Sequence, residues 1–224
     1  MRYQAVTFDF YGTLAEVDAD GPTPWETLGL LGYPTHPFFD EVWNSPAFDG
    51  LTTPRGPGGV YEAWRRRQLA AMAEFVGVPP HKMSAVVEDM LTRDQSWTVK
   101  ARAGARLTME RIRLLGLRIG ICSNWDYAID RYIAQAALPR PDAVVTSAEV
   151  GARKPHTRPF TQICEKLGAP PDRVLHVGDN LRADVAGALR AGLTPVWLTA
   201  NPDRALLRFV SAVSELPQVL DLLQ

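Results

Sequence analysis

The sequence has few of the features that mark membrane, nucleic-acid-binding or disulfide-rich proteins. It holds only 2 cysteines among 224 residues, so no disulfide framework is expected. Its 24 basic and 25 acidic residues nearly cancel, which leaves no polybasic signature for nucleic acid or a membrane surface. No apolar stretch approaches the ~18 residues of a membrane span, and Met1-Arg2-Tyr3 leads into a strand pattern rather than a signal peptide. We therefore expect a cytoplasmic protein that binds neither nucleic acid nor membrane.

The sequence does contain short apolar runs that each end in a polar residue. The run at 4–8 ends at Asp9, the run at 117–122 ends at Ser123, and the run at 173–177 leads to Asp179. Continuous apolar runs separated by helical stretches indicate parallel strands joined by right-handed crossovers, so we predict an α/β fold. Ligands of open α/β sheets bind beyond the carboxyl ends of the strands, and the polar residues should therefore meet at one edge.

Other polar residues extend this set. Lys154 follows the apolar run at 143–145, and Pro155 keeps it out of helical geometry just before a helical pattern begins. The chain has only four lysines, at 82, 100, 154 and 166, which makes a lysine beside a proline more informative. Asp184 falls in the first turn of the helix predicted after Asp179. Ser123 also fits a helix N-cap, and His176, inside an apolar strand, is interpreted as a core histidine.

These groups suit phosphoryl transfer. A carboxylate such as Asp9 can act as a covalent nucleophile, as in enzymes that form an aspartyl-phosphate. Its charge must be offset, which Lys154 and a hard cation would do, and Mg²⁺ needs only a few carboxylates besides water and substrate oxygens. Ser123 and the backbone N–H groups of Gly12 and Thr13 are candidate donors to the remaining oxygens. The candidate metal ligands are Asp9, Asp179 and Asp184.

Four segments, in this order along the chain, resemble the four motifs of the haloacid dehalogenase (HAD) superfamily of hydrolases. They are Asp9-Phe10-Tyr11-Gly12-Thr13, Ser123 with Asn124, Gly151-Ala152-Arg153-Lys154-Pro155, and Gly178-Asp179 with Asp184. The resemblance implies that Asp9 is the nucleophile, that Ser123 and Lys154 are catalytic, and that the fourth motif holds Mg²⁺ with Asp9 and the backbone carbonyl of Tyr11. Asn124 is a candidate substrate-binding residue. It also implies a Rossmann-like parallel-sheet core with an inserted, mainly helical cap.

The first motif departs from the phosphatase pattern at Tyr11. HAD phosphatases usually have a second Asp two residues after the nucleophile, which protonates the leaving oxygen and later activates water. General acid/base catalysis typically contributes ~10²–10⁴-fold, so without that Asp an ordinary phosphomonoester needs a good leaving group or an acid supplied by the cap. Tyr11 has two interpretations, a packing aromatic or a residue that positions substrate.

The Asp-x-Tyr-Gly-Thr form is instead similar to that of the 2-haloacid dehalogenases of the superfamily, which form an ester on Asp and need no metal. The segment Trp64-Arg65-Arg66-Arg67-Gln68-Leu69 resembles the Trp-Arg segment of their cap and makes Arg65 the halide candidate, although such a run is most often a solvated helix face. Their fourth motif is less acidic than Gly178-Asp179 with Asp184. Clustered carboxylates repel one another unless a cation compensates, so the acidic motif outweighs Tyr11.

We therefore predict a Mg²⁺-dependent phosphatase that acts on a small phosphorylated compound through an aspartyl-phosphate on Asp9. A 2-haloacid dehalogenase using an Asp9 ester is the first alternative, and a catalytically degenerate HAD-fold protein that binds a ligand is the second. The cap residues predicted to contact substrate are Trp25, Trp64 and Arg65. The sequence says nothing about oligomeric state.

The sequence also predicts how the chain is divided. Residues 1–15 and 98–224 should form the Rossmann-like catalytic core, and residues 16–97 should form the cap, where no strand alternation is evident. Apolar spacing predicts helices over 60–76 and from 79 to 91. The last strand is expected at 195–198, with a closing helix after Pro217.

Overall fold

The chain forms two compact units, each described here by itself. The structure, a computed structural model, describes residues 2–19, 22–36, 39, 59–94, 98–125, 129–201 and 210–223. Contacts group Met1–Glu16 with Lys100–Gln224 in the first unit and Val17–Val99 in the second. The chain passes between them through a two-stranded sheet of β2 (Ala15–Ala19) and β3 (Thr98–Ala101). That the second unit acts as a cap stays a prediction.

A six-stranded parallel sheet organises the first unit and confirms the predicted α/β class. Its order is β5-β4-β1-β6-β7-β8, so the strand that precedes Asp9 lies inside the sheet between two paired neighbours. Strands buried on both faces read as the continuous apolar runs seen in the sequence. The strands are β1 (Ala5–Phe8), β4 (Arg118–Ser123), β5 (Ala143–Thr146), β6 (Val174–Gly178), β7 (Thr194–Leu198) and β8 (Ser211–Val213).

Helices and turns join these strands. The helix Thr157–Leu167 packs an apolar face on β4 and β5 because its buried residues recur at helical spacing. His156 caps its start by accepting the Arg158 N–H at 3.1 Å, and Gly168, at φ 59°, ends it in the left-handed conformation. The other helical segments of this unit are Ala105–Leu114, Ile129–Gln135, Ser147–Val150, Gly187–Arg190, the π-helix Leu181–Ala186, and the 3-10 helices Pro171–Arg173 and Leu216–Leu223.

The second unit is helical where the structure describes it between β2 and β3. Its helices are Pro24–Leu30, Gly59–Phe75 and Pro80–Asp94, which confirms the two helices predicted by spacing apart from their ends. Thr23 begins the first of them with a capping box, in which its hydroxyl accepts the Glu26 N–H at 3.2 Å. The inward faces form an apolar cluster of Trp25, Leu28, Leu69, Met72, Ala73, Val76, Val78, Val86, Val87 and Met90.

Two expectations about strands were wrong. The segment that begins at Glu16 does contain strand, because β2 continues to Ala19. Exposed residues alternate with less exposed ones along β2, but over too few residues for the sequence to show a period. The strand at 195–198 is not the last, since β8 pairs with β7 beyond it. A three-residue strand is too short to give a detectable period.

The cysteine and membrane expectations can be compared with the structure. Both cysteines are buried and free, which confirms that they form no disulfide. Across the described ranges no helix combines the length and apolarity needed to cross a bilayer. The cytoplasmic location stays a prediction.

Candidate active site

Three carboxylates meet beyond the carboxyl ends of β1 and β6. Phe8 pairs with Val177, and the Asp9 N–H donates to the Val177 carbonyl at 2.9 Å, so the chain after β1 leaves the sheet beside the chain after β6. Asp9, Asp179 and Asp184 each place a carboxylate oxygen in one group whose members all lie within 4.8 Å of one another. The sheet therefore brings together the acidic residues of two motifs that are about 170 positions apart in the sequence.

Lys154 is the cation of this cluster. Its Nζ donates to Asp9 Oδ1 at 2.7 Å, to Asp184 Oδ1 at 2.5 Å and to the Cys122 carbonyl at 2.8 Å, which uses all three N–H groups. The side chain is only 1% exposed. Burial alone would lower the pKa of Lys154, but the charges of Asp184 and Asp9 outweigh it and raise the pKa, so the ammonium stays charged at neutral pH.

Asn124 fixes the backbone of Lys154. The Asn124 amide donates to the Lys154 carbonyl at 3.0 Å, and its oxygen accepts the Lys154 N–H at 2.7 Å. These two hydrogen bonds hold the lysine in the loop between the helices Ser147–Val150 and Thr157–Leu167. The substrate-binding role expected of Asn124 stays a prediction, while its observed contacts are with the chain itself.

Ser123 lies beside the first carboxylate. Its hydroxyl forms a hydrogen bond with Asp9, which lowers the pKa of that carboxyl against the larger effect of burial. The N-cap interpretation of Ser123 was wrong, because Ser123 is the final residue of β4 and the next described helix begins only at Ile129. Residues 126–128, between them, lie outside the described residues.

Two glycines make room for the acidic motif. Gly12 has φ 84°, and a Cβ there would lie 2.6 Å from Asp179 Oδ2, so only glycine lets that carboxylate close over the loop. Thr13 then donates its hydroxyl to Asp179 Oδ1 at 2.7 Å. At Gly178 a Cβ would lie 2.3 Å from the Asp184 carboxyl carbon. The glycines beside these motifs are therefore required by the packing of the carboxylates.

Asp184 is held by several protein donors. Its Oδ2 accepts the Asn180 N–H at 3.0 Å, and its Oδ1 lies 3.4 Å from His176 Nε2 in addition to the bond from Lys154. Burial would raise the pKa of Asp184, but Lys154 and His176 outweigh it and lower the pKa to about 2. Asp184 is therefore ionised even though only 1% of its side chain is exposed.

His176 is a core histidine, as expected, and it also touches the site. Its Nδ1 lies 2.9 Å from the Thr7 hydroxyl, and its ring packs edge-on against Phe160. Burial lowers the pKa of His176, so the imidazole is neutral at neutral pH. Because the ionised Asp184 can only accept, Nε2 of the neutral ring carries the proton and donates to it, which leaves Nδ1 as an acceptor for the Thr7 hydroxyl. The apolar strand pattern gave no signal for this contact.

The site carries an excess of negative charge. Burial raises the pKa of Asp9 despite Lys154, and partial desolvation together with the charges of Asp9 and Asp184 raises the pKa of Asp179 to about 7. Three carboxyl groups thus face one ammonium and a neutral imidazole. Clustered carboxylate oxygens are the ligands that Mg²⁺ takes in proteins, so the residues present fit a divalent cation.

Three further contacts at this edge were not foreseen. Arg102 donates from its guanidinium to the Gly12 carbonyl, and Trp197 donates its indole N–H to the Asp179 carbonyl at 2.9 Å. The ring of Trp125 lies 6.3 Å from that of Tyr11, whose side chain is 42% exposed. No motif marks these residues, and strand order alone brings Trp197 beside Gly178.

The predicted cap residues lie in the second unit. Trp25 belongs to its apolar cluster at 9% exposure, and Trp64 is 7% exposed. Arg65 donates to the Gln68 side chain at 3.0 Å, one turn further along the same helix. Contact of these three residues with substrate stays a prediction.

Comparison with known proteins agrees with this geometry. A family model described as haloacid dehalogenase-like hydrolase matches residues 3–192. The chain is 35% identical over 187 residues to the pyrimidine 5'-nucleotidase YjjG of Escherichia coli, a match covering 80% of this chain and 77% of that protein. It is 26% identical over 181 residues to the phosphoserine phosphatase of Thermus thermophilus, covering 78% and 67% respectively.

A solved structure extends the likeness in fold. The 2-haloacid dehalogenase from Pseudomonas syringae pv. Tomato DC3000 matches with a TM-score of 0.60 at 20% identity, over 99% of this chain and 98% of that one. At that identity the likeness concerns the fold alone. The match of the family model over residues 3–192 shows that the chain belongs to the haloacid dehalogenase-like hydrolases and is an enzyme of that class.

Proposed function

We propose that this HAD-family hydrolase is a Mg²⁺-dependent phosphatase that acts on a small phosphorylated compound through an aspartyl-phosphate on Asp9. One observation carries the proposal: Asp9, Asp179 and Asp184 share one cluster with a single lysine. When all three carboxyl groups are ionised, as they would be around a bound cation, they and the one ammonium sum to two negative charges, which is the charge a divalent cation neutralises. The relatives from Thermus thermophilus and Escherichia coli, named a phosphoserine phosphatase and a pyrimidine 5'-nucleotidase, support the same activity.

The residues that would hold Mg²⁺ are Asp9, Asp179 and Asp184, with the backbone carbonyl of Tyr11 as the fourth protein ligand expected from the resemblance. When bound, the ion would supply Lewis-acid polarisation of the phosphoryl oxygens. Asp184 is held by Lys154, His176 and Asn180, and Asp179 is held by Thr13. Such partners orient ligating carboxylates and are part of a working metal site.

The side chains of the site then have separate roles. The Asp9 carboxylate attacks phosphorus, and the bond from phosphorus to the leaving oxygen breaks; that oxygen keeps the electron pair and takes a proton from solvent. Lys154 keeps its charge beside the attacking group, and Ser123, with the N–H group of Thr13, donates to the phosphoryl oxygens. The Gly12 N–H, which the sequence offered as a further donor, donates instead to the Ala15 carbonyl at 2.8 Å. Water then attacks the phosphorus of the aspartyl-phosphate, which releases phosphate and restores Asp9.

A second candidate is a 2-haloacid dehalogenase, which Tyr11 favours. In that reaction Asp9 would displace halide from carbon, and no metal would take part. The acidic cluster argues against it, since three carboxyl groups without a cation repel one another. The third candidate, a degenerate protein that binds a ligand without turnover, is favoured by the same tyrosine.

One assay separates the three candidates. Purified protein is incubated with phosphate esters, acyl phosphates and 2-haloacids, each with Mg²⁺ and with EDTA. We expect phosphate release that needs Mg²⁺ and falls to background with EDTA. Rapid denaturation should trap a phosphorylated form of the protein, and this form should be absent in Asp9→Asn. Halide release that persists in EDTA would establish the dehalogenase instead. Ligand-induced stabilisation without any turnover would establish the degenerate protein.

A further inference from the structure

Four aromatic residues, Phe10, Tyr11, Trp125 and Tyr132, form a cluster that includes part of the first motif. Phe10 is fully buried, and its ring meets Trp125 edge-on at 5.3 Å with an angle of 83° between the planes. Trp125 meets Tyr132 in the same manner at 5.3 Å and 77°. Tyr11 lies against Trp125 at 6.3 Å, tilted by 39°, and is the most exposed of these four residues.

Trp125 is held firmly enough to support Tyr11. Its carbonyl accepts the Ser147 hydroxyl at 3.1 Å and the Ala148 N–H at 3.2 Å, which ties the residues after β4 to the helix that follows β5. The ring itself is fixed by edge contacts on two sides. A braced aromatic ring offers apolar contact area at little cost in conformational entropy.

Two of these aromatic residues closely follow groups of the site along the chain. Tyr11 lies two residues after Asp9, and Trp125 lies two residues after Ser123, whose hydroxyl bonds Asp9. The two strands that precede them are paired, with Phe8 beside Ile121. Any group leaving from a phosphoryl held between Asp9 and Ser123 would therefore depart near aromatic rings.

Position 11, two residues after Asp9, lacks a carboxylic acid. The carboxyl groups of Asp179 and Asp184 gather with that of Asp9 and are held by protein donors, and residue 11 supplies a phenol instead of an acid. A leaving group that receives no proton must be stable as an anion. A phenol meets this condition with a pKa of about 10, whereas an alcohol resembles water, whose pKa is about 15.7.

We propose that the substrates of this site are phosphate monoesters of planar, phenol-type hydroxyls, whose ring stacks on Tyr11 while Trp125 braces it. This inference rests on the proposed phosphatase activity and names its substrate class. An Asp9 oxygen forms a bond to phosphorus while the bond from phosphorus to the aryl oxygen breaks. The phenolate leaves with the electron pair and takes a proton from solvent. Water then cleaves the aspartyl-phosphate and returns its proton to solvent.

The test compares matched leaving groups with the wild-type protein and Mg²⁺. Phenyl phosphate and cyclohexyl phosphate have rings of equal size, but only the first is planar and leaves as a stable anion. We expect kcat/KM to favour phenyl phosphate by at least about a hundredfold, the usual effect of a missing acid. Across substituted phenyl phosphates the rate should fall steeply as the pKa of the phenol rises. Equal rates for the two rings would overturn the inference.

Variants at residue 11 separate stacking from acidity. Tyr11→Leu should raise the KM for phenyl phosphate about tenfold, the effect of losing one aromatic pair, and Tyr11→Phe should keep the low KM. Tyr11→Asp should raise the rate on cyclohexyl phosphate and flatten the dependence on leaving-group pKa. An unchanged KM in Tyr11→Leu would count against the proposal, and so would an unchanged dependence of the rate on leaving-group pKa in Tyr11→Asp.

Acetyl phosphate distinguishes failure of the inference from failure of the phosphatase proposal. It has no ring, and its leaving group needs no acid. Turnover of acetyl phosphate with Mg²⁺, without preference for phenyl over cyclohexyl phosphate, would overturn the substrate class and leave the phosphatase standing. Absence of turnover on every phosphate compound would overturn both.

Discussion

The two units place their charged groups differently. In the second unit the core cluster is apolar, and the Arg66–Glu88 pair stays at the surface with side chains 49% and 55% exposed. In the first unit Lys154 and Asp184 form a pair in which each side chain is 1% exposed. Burying ions is costly, and apolar residues can usually replace a buried pair without loss of stability. The difference therefore indicates that the first unit retains these charges for chemistry rather than for folding.

The largest effect is expected at Asp9. Asp9→Asn removes the nucleophile and should lower kcat by at least about a thousandfold, because covalent catalysis is lost. The unfolding temperature should not fall, since burial already disfavours the charged form of this carboxyl. The control is Asp172→Asn, which changes an exposed carboxylate in a 3-10 turn and should keep full activity. Activity within tenfold of wild type in Asp9→Asn would refute the assigned role.

Lys154 should control the stability of the first unit as well as its activity. Lys154→Met leaves Asp184 and Asp9 buried without their cation, and should lower the free energy of unfolding by about 3–5 kcal/mol. Lys166→Met is the matched control, because its partner Glu149 is 39% exposed; we expect less than about 1 kcal/mol there. Denaturant titration measures both. Equal losses would show that burial does not distinguish the two pairs.

Substitutions in the apolar core of the second unit should change its stability through packing alone. Leu69 is fully buried in its helix, and Leu69→Ala should cost about 2–5 kcal/mol through lost burial and the cavity left behind. Arg66→Ala removes the surface ion pair on the same helix and should leave the free energy of unfolding almost unchanged, because solvent screens this pair. Chemical denaturation compares the two variants, and a larger loss in Arg66→Ala would reverse our interpretation of this unit.

The smallest effect is expected when the native protein is exposed to a reagent that alkylates cysteine. Burial raises the pKa of Cys122 to about 12 and that of Cys164 to about 11. Because both pKa values are raised, each thiol stays protonated at pH 8, and the reactive thiolate is scarce. Native protein should therefore take up little iodoacetamide at pH 8, whereas unfolded protein should react at both positions. Mass spectrometry would reveal rapid native labelling if the sheet edge opens more than the structure implies.

Sequence patterns identified the strands and therefore the acidic cluster. The apolar runs before Asp9, Ser123 and Asp179 lead into residues that carry chemistry, and parallel strands bring their carboxyl ends to one edge. The meeting of Asp9, Lys154, Asp179 and Asp184 could therefore be expected without coordinates. The glycines of the first and fourth motifs were also visible. Short elements were harder, because β2 and β8 are too brief to show a clear period.

The tertiary structure alone decided which side chains support that cluster. The order of strands set His176 against Thr7 and Trp197 against Gly178, and neither pairing follows from local periodicity. Local propensity gave Ser123 as a helix cap, but the sheet extends through it. By itself the sequence determined five of the six strands of the parallel sheet, the polar residues that follow them and the charge of the site. Folding decided the partners of each charge and the bracing of Tyr11, because these depend on contacts between residues that lie far apart along the chain.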